Sequence, residues 1–230
     1  MSAAEVAPNL ARIRERIAAA VHRRGPGPEP VLIGVSKTQP LAALEAALAA
    51  GLEDLGENYA QEFRDKVAAL GHDPPRWHFI GALQSNKVKY VVGKAALIHT
   101  VDRLSLITAL DQRAAREGVV QEVLVEVNLG DEAQKAGVPE AELPALLDAF
   151  AAAPALRCRG LMIIPPDGEP GDTRRYFARL RLLRDRLAAD ARPGVALDHL
   201  SMGMSADFEE AIEEGATMIR VGTAIFGARA

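Results

Sequence analysis

The sequence predicts an α/β fold, a single TIM-type (β/α)8 barrel domain that spans residues 1–230 and carries an extra N-terminal helix. Eight apolar or β-branched segments alternate with Ala- and Leu-rich segments whose charges recur at helical spacing. This alternation is typical of parallel strands joined by crossover helices. Eight such units favour a closed barrel, and 230 residues is just below the usual length of about 250. No GxGxxG follows the first predicted strand, which weakens a dinucleotide-binding sheet as the alternative.

Short apolar and β-branched runs define the predicted strands. They cover residues 31–37, 54–58, 77–81, 96–102, 122–129, 159–165, 197–203 and 218–222. A helical pattern follows each of the first seven strands, as at 41–50, 104–117 and 173–189, and the extra helix runs from Pro8 to Arg24. Two Pro- and Gly-rich stretches, 25–30 and 165–171, are predicted to be surface loops because they break both patterns.

Composition excludes several classes of protein. The chain is 49% hydrophobic and 25% charged, with a formal net charge of −4, so no basic surface is available for nucleic acid or an anionic membrane. Its one cysteine, Cys158, has no internal disulfide partner, which fits a reducing compartment. We find no signal-peptide pattern and no apolar run of membrane-spanning length. The sequence therefore predicts a cytoplasmic globular protein.

Lys37 ends the first predicted strand and is the first candidate for chemistry. Side chains alternate along a strand, so Lys37 shares a face with Val31, Ile33 and Val35. If that apolar row lines the barrel, Lys37 points inward at the catalytic end of the strands, where desolvation favours a neutral, nucleophilic amine. The alternative is a lysine that extends from a strand end into solvent.

The last two predicted strands end in small residues. Ser201 and Gly203 follow one strand and Gly222 and Thr223 the other, and backbone N–H groups at such positions suit a phosphate. Many barrels bind phosphate with the loops after strands seven and eight. The alternative interpretation makes the glycines turn residues and Ser205 or Asp207 a helix cap.

Arg220 shares a face with Met218 and Gly222 in the last predicted strand. An arginine inside a barrel needs an acceptor, because it does not shed its charge. A lysine able to form a Schiff base, a phosphate cradle and an interior arginine together suggest pyridoxal 5′-phosphate (PLP). Arg220 would then donate to the pyridine nitrogen, which leaves that nitrogen unprotonated and the ring a poor electron sink.

Five ordered motifs resemble those of the pyridoxal phosphate homeostasis protein family, whose fold is similar to the barrel domain of alanine racemase. The motifs are 33–37 (IGVSK), 56–59 (GENY), 78–87 (HFIGALQSNK), 200–205 (LSMGMS) and 219–227 (IRVGTAIFG). The resemblance implies that Lys37 holds PLP as an internal aldimine and that Arg220 contacts the pyridine nitrogen. It also implies that Ser201, Gly222 and Thr223 bind the phosphate and that Asn58 lies beside the ring.

Other candidate residues favour ordinary roles. The five histidines (His22, His72, His78, His99 and His199) show no metal-ligand spacing, so no metal is predicted. His78 is expected to be a hydrogen-bonded core histidine, although its strand position also allows it to face the interior. Lys135 lies in a loop that could reach the open mouth of the barrel, but a surface lysine is the simpler interpretation.

Two functions remain open at this stage. One is a PLP-binding protein that stores the cofactor and delivers it, without substantial turnover of a substrate. Apo PLP-dependent enzymes are the candidate recipients. The other is a PLP-dependent amino-acid racemase, which needs a second acid/base group opposite Lys37. By comparison with alanine racemase, the domain that supplies that group is not expected here, because only three residues follow Gly227. No tyrosine clearly replaces it. We therefore favour the binding protein and expect a monomer.

Overall fold

A computed structural model describes residues 5–71, 74–130, 136–166 and 172–227. Nine strands are present in these ranges. They are β1 (Val31–Val35), β2 (Asp54–Glu57), β3 (Arg76–Phe79), β4 (Leu97–Val101), β5 (Gln121–Asn128), β6 (Val138–Pro139), β7 (Leu156–Met162), β8 (Val195–Ser201) and β9 (Met218–Val221). His72, Lys135 and most of the predicted loop 165–171 lie outside the described residues.

Eight α-helices accompany the strands in the described part of the chain. They are α1 (Val6–Arg24), α2 (Leu41–Ala49), α3 (Ala60–Ala69), α4 (Leu104–Glu117), α5 (Leu143–Asp148), α6 (Thr173–Ala188), α7 (Phe208–Glu213) and α8 (Thr223–Phe226). None of them is long and apolar enough to cross a membrane.

Eight parallel strands close into a barrel. Their order is β4-β3-β2-β1-β9-β8-β7-β5, and a further pairing between β4 and β5 joins the two ends. The two-residue β6 pairs only with β5 and lies outside this ring. The predicted (β/α)8 barrel is therefore confirmed, and so is the extra helix, which the structure begins at Val6.

The barrel interior has a small apolar cluster separate from the outer core. Ile33, Leu97, Leu124 and Met218 belong to it, and Val31 packs against it. Because Val31 and Ile33 face inward, the strand parity predicted for β1 is confirmed. The larger outer core lies between the barrel wall and the surrounding helices.

Helix α1 packs on the helices that follow the last strands. The side-chain amide of Asn9 donates to the Ile225 carbonyl at 2.9 Å, which ties α1 to α8. Arg16 and Arg23 form ion pairs with Glu209 of α7 at 2.6 and 3.1 Å. The extra helix therefore braces the side of the barrel that carries the predicted phosphate loops.

One crossover differs from the prediction. A 3-10 helix, Ser85–Tyr90, follows β3 in place of the expected α-helix. Ser85 and Asn86 are weak helix formers, because their side chains compete for backbone hydrogen bonds. Gly93, with φ +73°, then turns the chain toward β4. The segment is too short between these features for a full α-helix.

Candidate functional site

A cavity of about 260 Å³ opens at the carboxyl ends of β1, β8 and β9. It brings together four of the predicted site residues: Lys37, Arg220, Gly222 and Thr223. The remaining lining residues are Val35, Gln39, Met204, Ser205, Ala206 and Gly227. A lysine, an arginine and loop glycines thus share one concave surface at the barrel end where such folds place their sites.

Several other cavities are larger than this one, and two of them lie at the opposite end of the barrel. One of these two, about 680 Å³, is lined by residues of α1 and by strand starts such as Asp54 and Arg76. Its lining includes both acidic and basic residues. Among the described residues that line it there is no lysine, and there is no glycine loop like that of the smaller cavity. The site is therefore identified by the chemistry of the residues that line the cavity, and not by the volume of the cavity.

Lys37 lies in a turn and not in the strand. β1 ends at Val35, two residues earlier than predicted. The Ser36 N–H still donates to the Gly56 carbonyl at 2.9 Å, but the chain then turns, and Gln39 N–H donates back to the Ser36 carbonyl at 3.0 Å. Lys37 is half-buried and lines the cavity, so the predicted inward direction agrees with its position.

The loops after β8 and β9 meet through Ser205. Its hydroxyl oxygen lies 3.3 Å from the backbone nitrogens of both Gly222 and Ala224 and accepts from them. A Cβ on Gly222 would lie 3.2 Å from the Cβ of Val35, closer than a side chain tolerates without a shift. Thr223 is exposed at the start of α8. This wall of the cavity is therefore built from backbone and small hydroxyl groups.

Asn58 follows β2 and does not line the cavity. Its Oδ1 is buried and has no hydrogen-bond partner among the described residues. Gly81 packs closely against the Asn58 backbone, since a Cβ at position 81 would lie 2.1 Å from the Asn58 carbonyl oxygen. The backbone of Asn58 is thus fixed, while its side-chain acceptor is left unsatisfied.

Arg220 is 3% exposed and lies within the barrel. Its guanidinium donates to the Ser201 Oγ at 2.6 Å and to the Ile163 carbonyl at 2.8 Å. Burial lowers the pKa of Arg220 to about 10, and the nearby Glu126 and Asp207 carboxylates act in the opposite direction. Arg220 remains charged at neutral pH and can only donate hydrogen bonds.

A chain of buried hydrogen bonds runs from Arg220 across the barrel interior. Ser201 Oγ lies 2.9 Å from His99 Nδ1, His99 Nε2 lies 3.0 Å from His78 Nδ1, and His78 Nε2 lies 2.9 Å from Asp54 Oδ1. The Asp54 carboxylate only accepts, so a neutral His78 donates to it from Nε2 and accepts at Nδ1 from His99 Nε2. His99 Nδ1 then accepts from the Ser201 hydroxyl, whose oxygen accepts from Arg220.

The chain ends at the opposite mouth of the barrel. Asp54 also accepts from Arg76, at 3.0 and 2.7 Å. Burial raises the pKa of Asp54, but the hydrogen bonds from His78 and Arg76 outweigh it and hold the pKa below its ordinary value. A carboxylate accepts and never donates when ionised, so every hydrogen bond in the chain points away from Arg220.

The surroundings of His99 shift its pKa strongly. Complete burial, reinforced by His78 and Arg220, lowers its pKa well below 6.5. The unfolded chain protonates a histidine near pH 6.5, whereas the folded protein resists it. His99 therefore makes its full contribution to the free energy of unfolding above about pH 6.5, and this contribution decreases as the pH falls below that value.

We expect ¹⁵N NMR to show His99 neutral and protonated at Nε2 between about pH 5 and 8. Its ring nitrogens should not titrate in that range, whereas those of free histidine added to the sample as a reference should. Titration of His99 near pH 6.5, or a hydrogen on Nδ1, would contradict the direction assigned to the chain.

Ser201 is completely buried and does not line the cavity. Its hydroxyl lies between Arg220 and His99, so its role in phosphate binding stays a prediction. His78 is confirmed as a hydrogen-bonded interior histidine.

Sequence reasoning assigns no part in this region to Asp54, His99 and Glu126, and it treats Ser205 only as a helix cap and a member of the 200–205 motif. Burial, with a contribution from Asp102, raises the pKa of Glu126 to about 7, and Arg220 opposes this shift. Strand alternation could have found Asp54, His99 and Glu126, since each shares a face with interior residues of its strand. Nothing comparable marks Ser205, because a loop has no period.

The comparisons with known proteins agree with this geometry. A family model described as "Alanine racemase, N-terminal domain" matches residues 9–230, which defines the class of barrel. Proteins named "Pyridoxal phosphate homeostasis protein" match nearly end to end. The one from Aquifex aeolicus is 48% identical over 96% of each chain, and the one from Escherichia coli K12 is 43% identical over 98% of this chain and 97% of its own. This chain belongs to the pyridoxal phosphate homeostasis protein family.

Solved structures support the same placement. PipY of Synechococcus elongatus, described as having PLP bound, has a TM-score of 0.84 and 38% identity over 96% of this chain and 100% of its own. An alanine racemase from Corynebacterium glutamicum has a TM-score of 0.70 at 18% identity and is covered over 61% of its length. The second likeness extends to the fold only.

Proposed function

We propose that this protein binds pyridoxal 5′-phosphate as a Schiff base on Lys37 and serves PLP homeostasis by storing and delivering the cofactor without substantial turnover. The observation that carries the proposal is the meeting of Lys37, Arg220 and Gly222 in one cavity. The names of the relatives and the PLP-bound PipY support the same cofactor. Pyridoxal 5′-phosphate is the cofactor of this chain, and when bound it supplies a reactive aldehyde.

Lys37 provides the amine for covalent binding. Its neutral amine would attack the aldehyde carbon, the C=N bond would form, and one water molecule would leave. The half-buried turn position leaves room for an entering aldehyde.

The other residues fit the polar ends of the cofactor. Gly222 and Thr223 would hold the phosphate with backbone N–H groups and a hydroxyl. The Ser205 oxygen accepts from the Gly222 N–H in this structure, so the phosphate would share that N–H and could accept from the Ser205 hydroxyl. The donor-only guanidinium of Arg220 suits the lone pair of a pyridine nitrogen. Asn58, with its unsatisfied Oδ1, is proposed to lie beside the ring. Ser201 is proposed to bind the phosphate.

The lining supports binding without turnover. Among the described residues of the cavity wall, Lys37 and Arg220 are the ionisable ones, and Arg220 stays protonated. None of the three tyrosines lines this cavity, so the wall offers no second acid/base group opposite Lys37. An arginine at the pyridine nitrogen also weakens carbanion stabilisation. The racemase alternative lacks a specific observation in its favour.

The proposal extends to the state of the protein. We propose that the protein is a monomer. We also propose that it releases PLP to apo forms of PLP-dependent enzymes, since a covalent bond to Lys37 is reversible by hydrolysis. The cavity is open to solvent on the side of Met204, which is 38% exposed.

Borohydride reduction followed by peptide mass spectrometry tests the proposed site. Reduction of the PLP-loaded protein should leave one pyridoxyl group, located on Lys37. The exposed Lys94 provides an internal control peptide that should stay unmodified. An equal distribution of adducts over several lysines would count against the proposal.

A further inference from the structure

The turn that carries Lys37 is held by charged residues with no role in the proposed function. Lys66 of α3 is 7% exposed. Its ammonium lies 2.6 Å from the Ser36 carbonyl oxygen, 2.6 Å from Glu57 Oε1 and 2.7 Å from Glu62 Oε1. An ammonium has three N–H donors, so these contacts use all of them.

The same pair of residues binds the peptide groups on both sides of Lys37. The Ser36 carbonyl, which accepts from Lys66, belongs to the peptide bond that precedes Lys37. The Thr38 N–H belongs to the bond that follows, and it donates to Glu62 Oε1 at 2.6 Å. Lys66 and Glu62 are also bonded to each other, so one ion pair fixes the backbone before and after Lys37.

The held conformation is an unfavourable one. Thr38 has φ +62° and is the one non-glycine residue with positive φ in the described ranges. A β-branched side chain rarely adopts this region, and such a conformation persists only where its surroundings impose it. The hydrogen bond from the Thr38 N–H to Glu62 is one of the contacts made by this residue in that conformation.

We propose that Lys66 and Glu62 are positioning residues, which clamp the turn so that the amine of Lys37 projects into the cavity. This inference rests on the proposed role of Lys37. Both contacts to the turn are made to main-chain atoms, so they set where the lysine begins and leave its side chain able to react. Glu57 anchors Lys66 from the other side and also accepts from the Ser36 hydroxyl at 2.6 Å.

Glu62 is the better residue to change. Removing Lys66 would leave the Glu57 carboxylate, which is 0% exposed, without its cation, and the fold itself would suffer. The Glu62 side chain is 24% exposed, so Glu62→Ala should fold. Glu62→Gln keeps an oxygen acceptor for Thr38. Glu140→Ala is the matched control, because Glu140 is 27% exposed and pairs with Arg179 and Arg186, outside the clamp.

Two measurements test the clamp. Amide hydrogen exchange of Thr38 in the apo protein should speed up about tenfold or more in Glu62→Ala, since a charge-assisted hydrogen bond is lost. The rate at which added PLP becomes attached to Lys37, followed by borohydride quenching and mass spectrometry, should fall by about tenfold or more. Glu62→Gln should recover most of both effects, and Glu140→Ala should match the natural chain.

The outcomes separate the clamp from the proposed function. Unchanged Thr38 exchange in Glu62→Ala, or faster exchange with an unchanged attachment rate, would overturn the clamp. A lower melting temperature alone, with both readouts unchanged, would also overturn it, since the residue would then be only structural. Failure of the natural chain to attach PLP to Lys37 would overturn the proposed function, while the exchange result reports on the turn independently.

Discussion

Replacement of Lys37 by alanine should abolish covalent PLP binding and the visible absorbance band that accompanies it. Lys37 is the one lysine among the described residues that line the cavity, so no neighbouring amine there can take its place. The fold should persist, because Lys37 lies in a turn after β1 and outside the apolar clusters. Absorbance spectra and circular dichroism of the purified variant check both parts.

Lys94→Ala is the control for this experiment, since Lys94 is exposed and does not line the cavity. It should keep the full band and full PLP stoichiometry. A Lys37→Ala protein that still gave a reduced adduct at full stoichiometry on another lysine would show that the covalent site lies elsewhere.

Removal of the phosphate from the ligand should have the second large effect. Pyridoxal lacks the group proposed to bind at Gly222, Thr223 and Ser205, and each charge-assisted hydrogen bond contributes about 1.5–3 kcal/mol. Loss of two such bonds corresponds to at least about a hundredfold weaker binding. Titration of the apo protein with PLP and with pyridoxal, followed by absorbance, measures the difference. Equal affinities would remove the phosphate cradle from the account.

Gly222→Leu should weaken PLP binding in the same direction. A side chain at this position meets Val35 at 3.2 Å and enters the wall of the cavity, so the backbone N–H groups are no longer accessible to a phosphate. Gly71→Leu is the control, because a Cβ there meets its nearest atom, the Ala68 carbonyl oxygen, at an ordinary 3.6 Å. A Gly222→Leu protein with normal PLP affinity but a weakened fold would contradict the proposed contact.

The fold could be predicted because the barrel repeats one physical pattern. Alternation along β1 placed Val31 and Ile33 inside, and both pack in the interior cluster. The same alternation put Arg220 inside, where its buried guanidinium now lies. Which side chains of a strand face inward depends on the alternation within that strand, so the residues of the strand alone predict it.

The details of the site depend on contacts between distant segments. Ser205 joins the β9 loop by hydrogen bonds to residues 17 and 19 positions away, and no local pattern predicts such a pairing. The hydrogen-bond chain links β2, β3, β4, β8 and β9, so it exists only once the barrel has closed. Thr38 likewise takes its positive φ from Glu62, 24 residues away, and its own sequence gives no sign of it.

The central claim is that PLP is bound without substantial turnover, and α-proton exchange tests it most directly. The PLP-loaded protein is incubated with single L-amino acids in deuterated water, and loss of the α-proton signal is followed by NMR. We predict exchange orders of magnitude slower than the roughly 1–1,000 turnovers per second of typical enzymes. The described cavity wall offers no second acid/base group, and Arg220 is proposed to face the ring nitrogen. Rapid exchange on one amino acid, lost in Lys37→Ala, would contradict the claim and establish the racemase alternative.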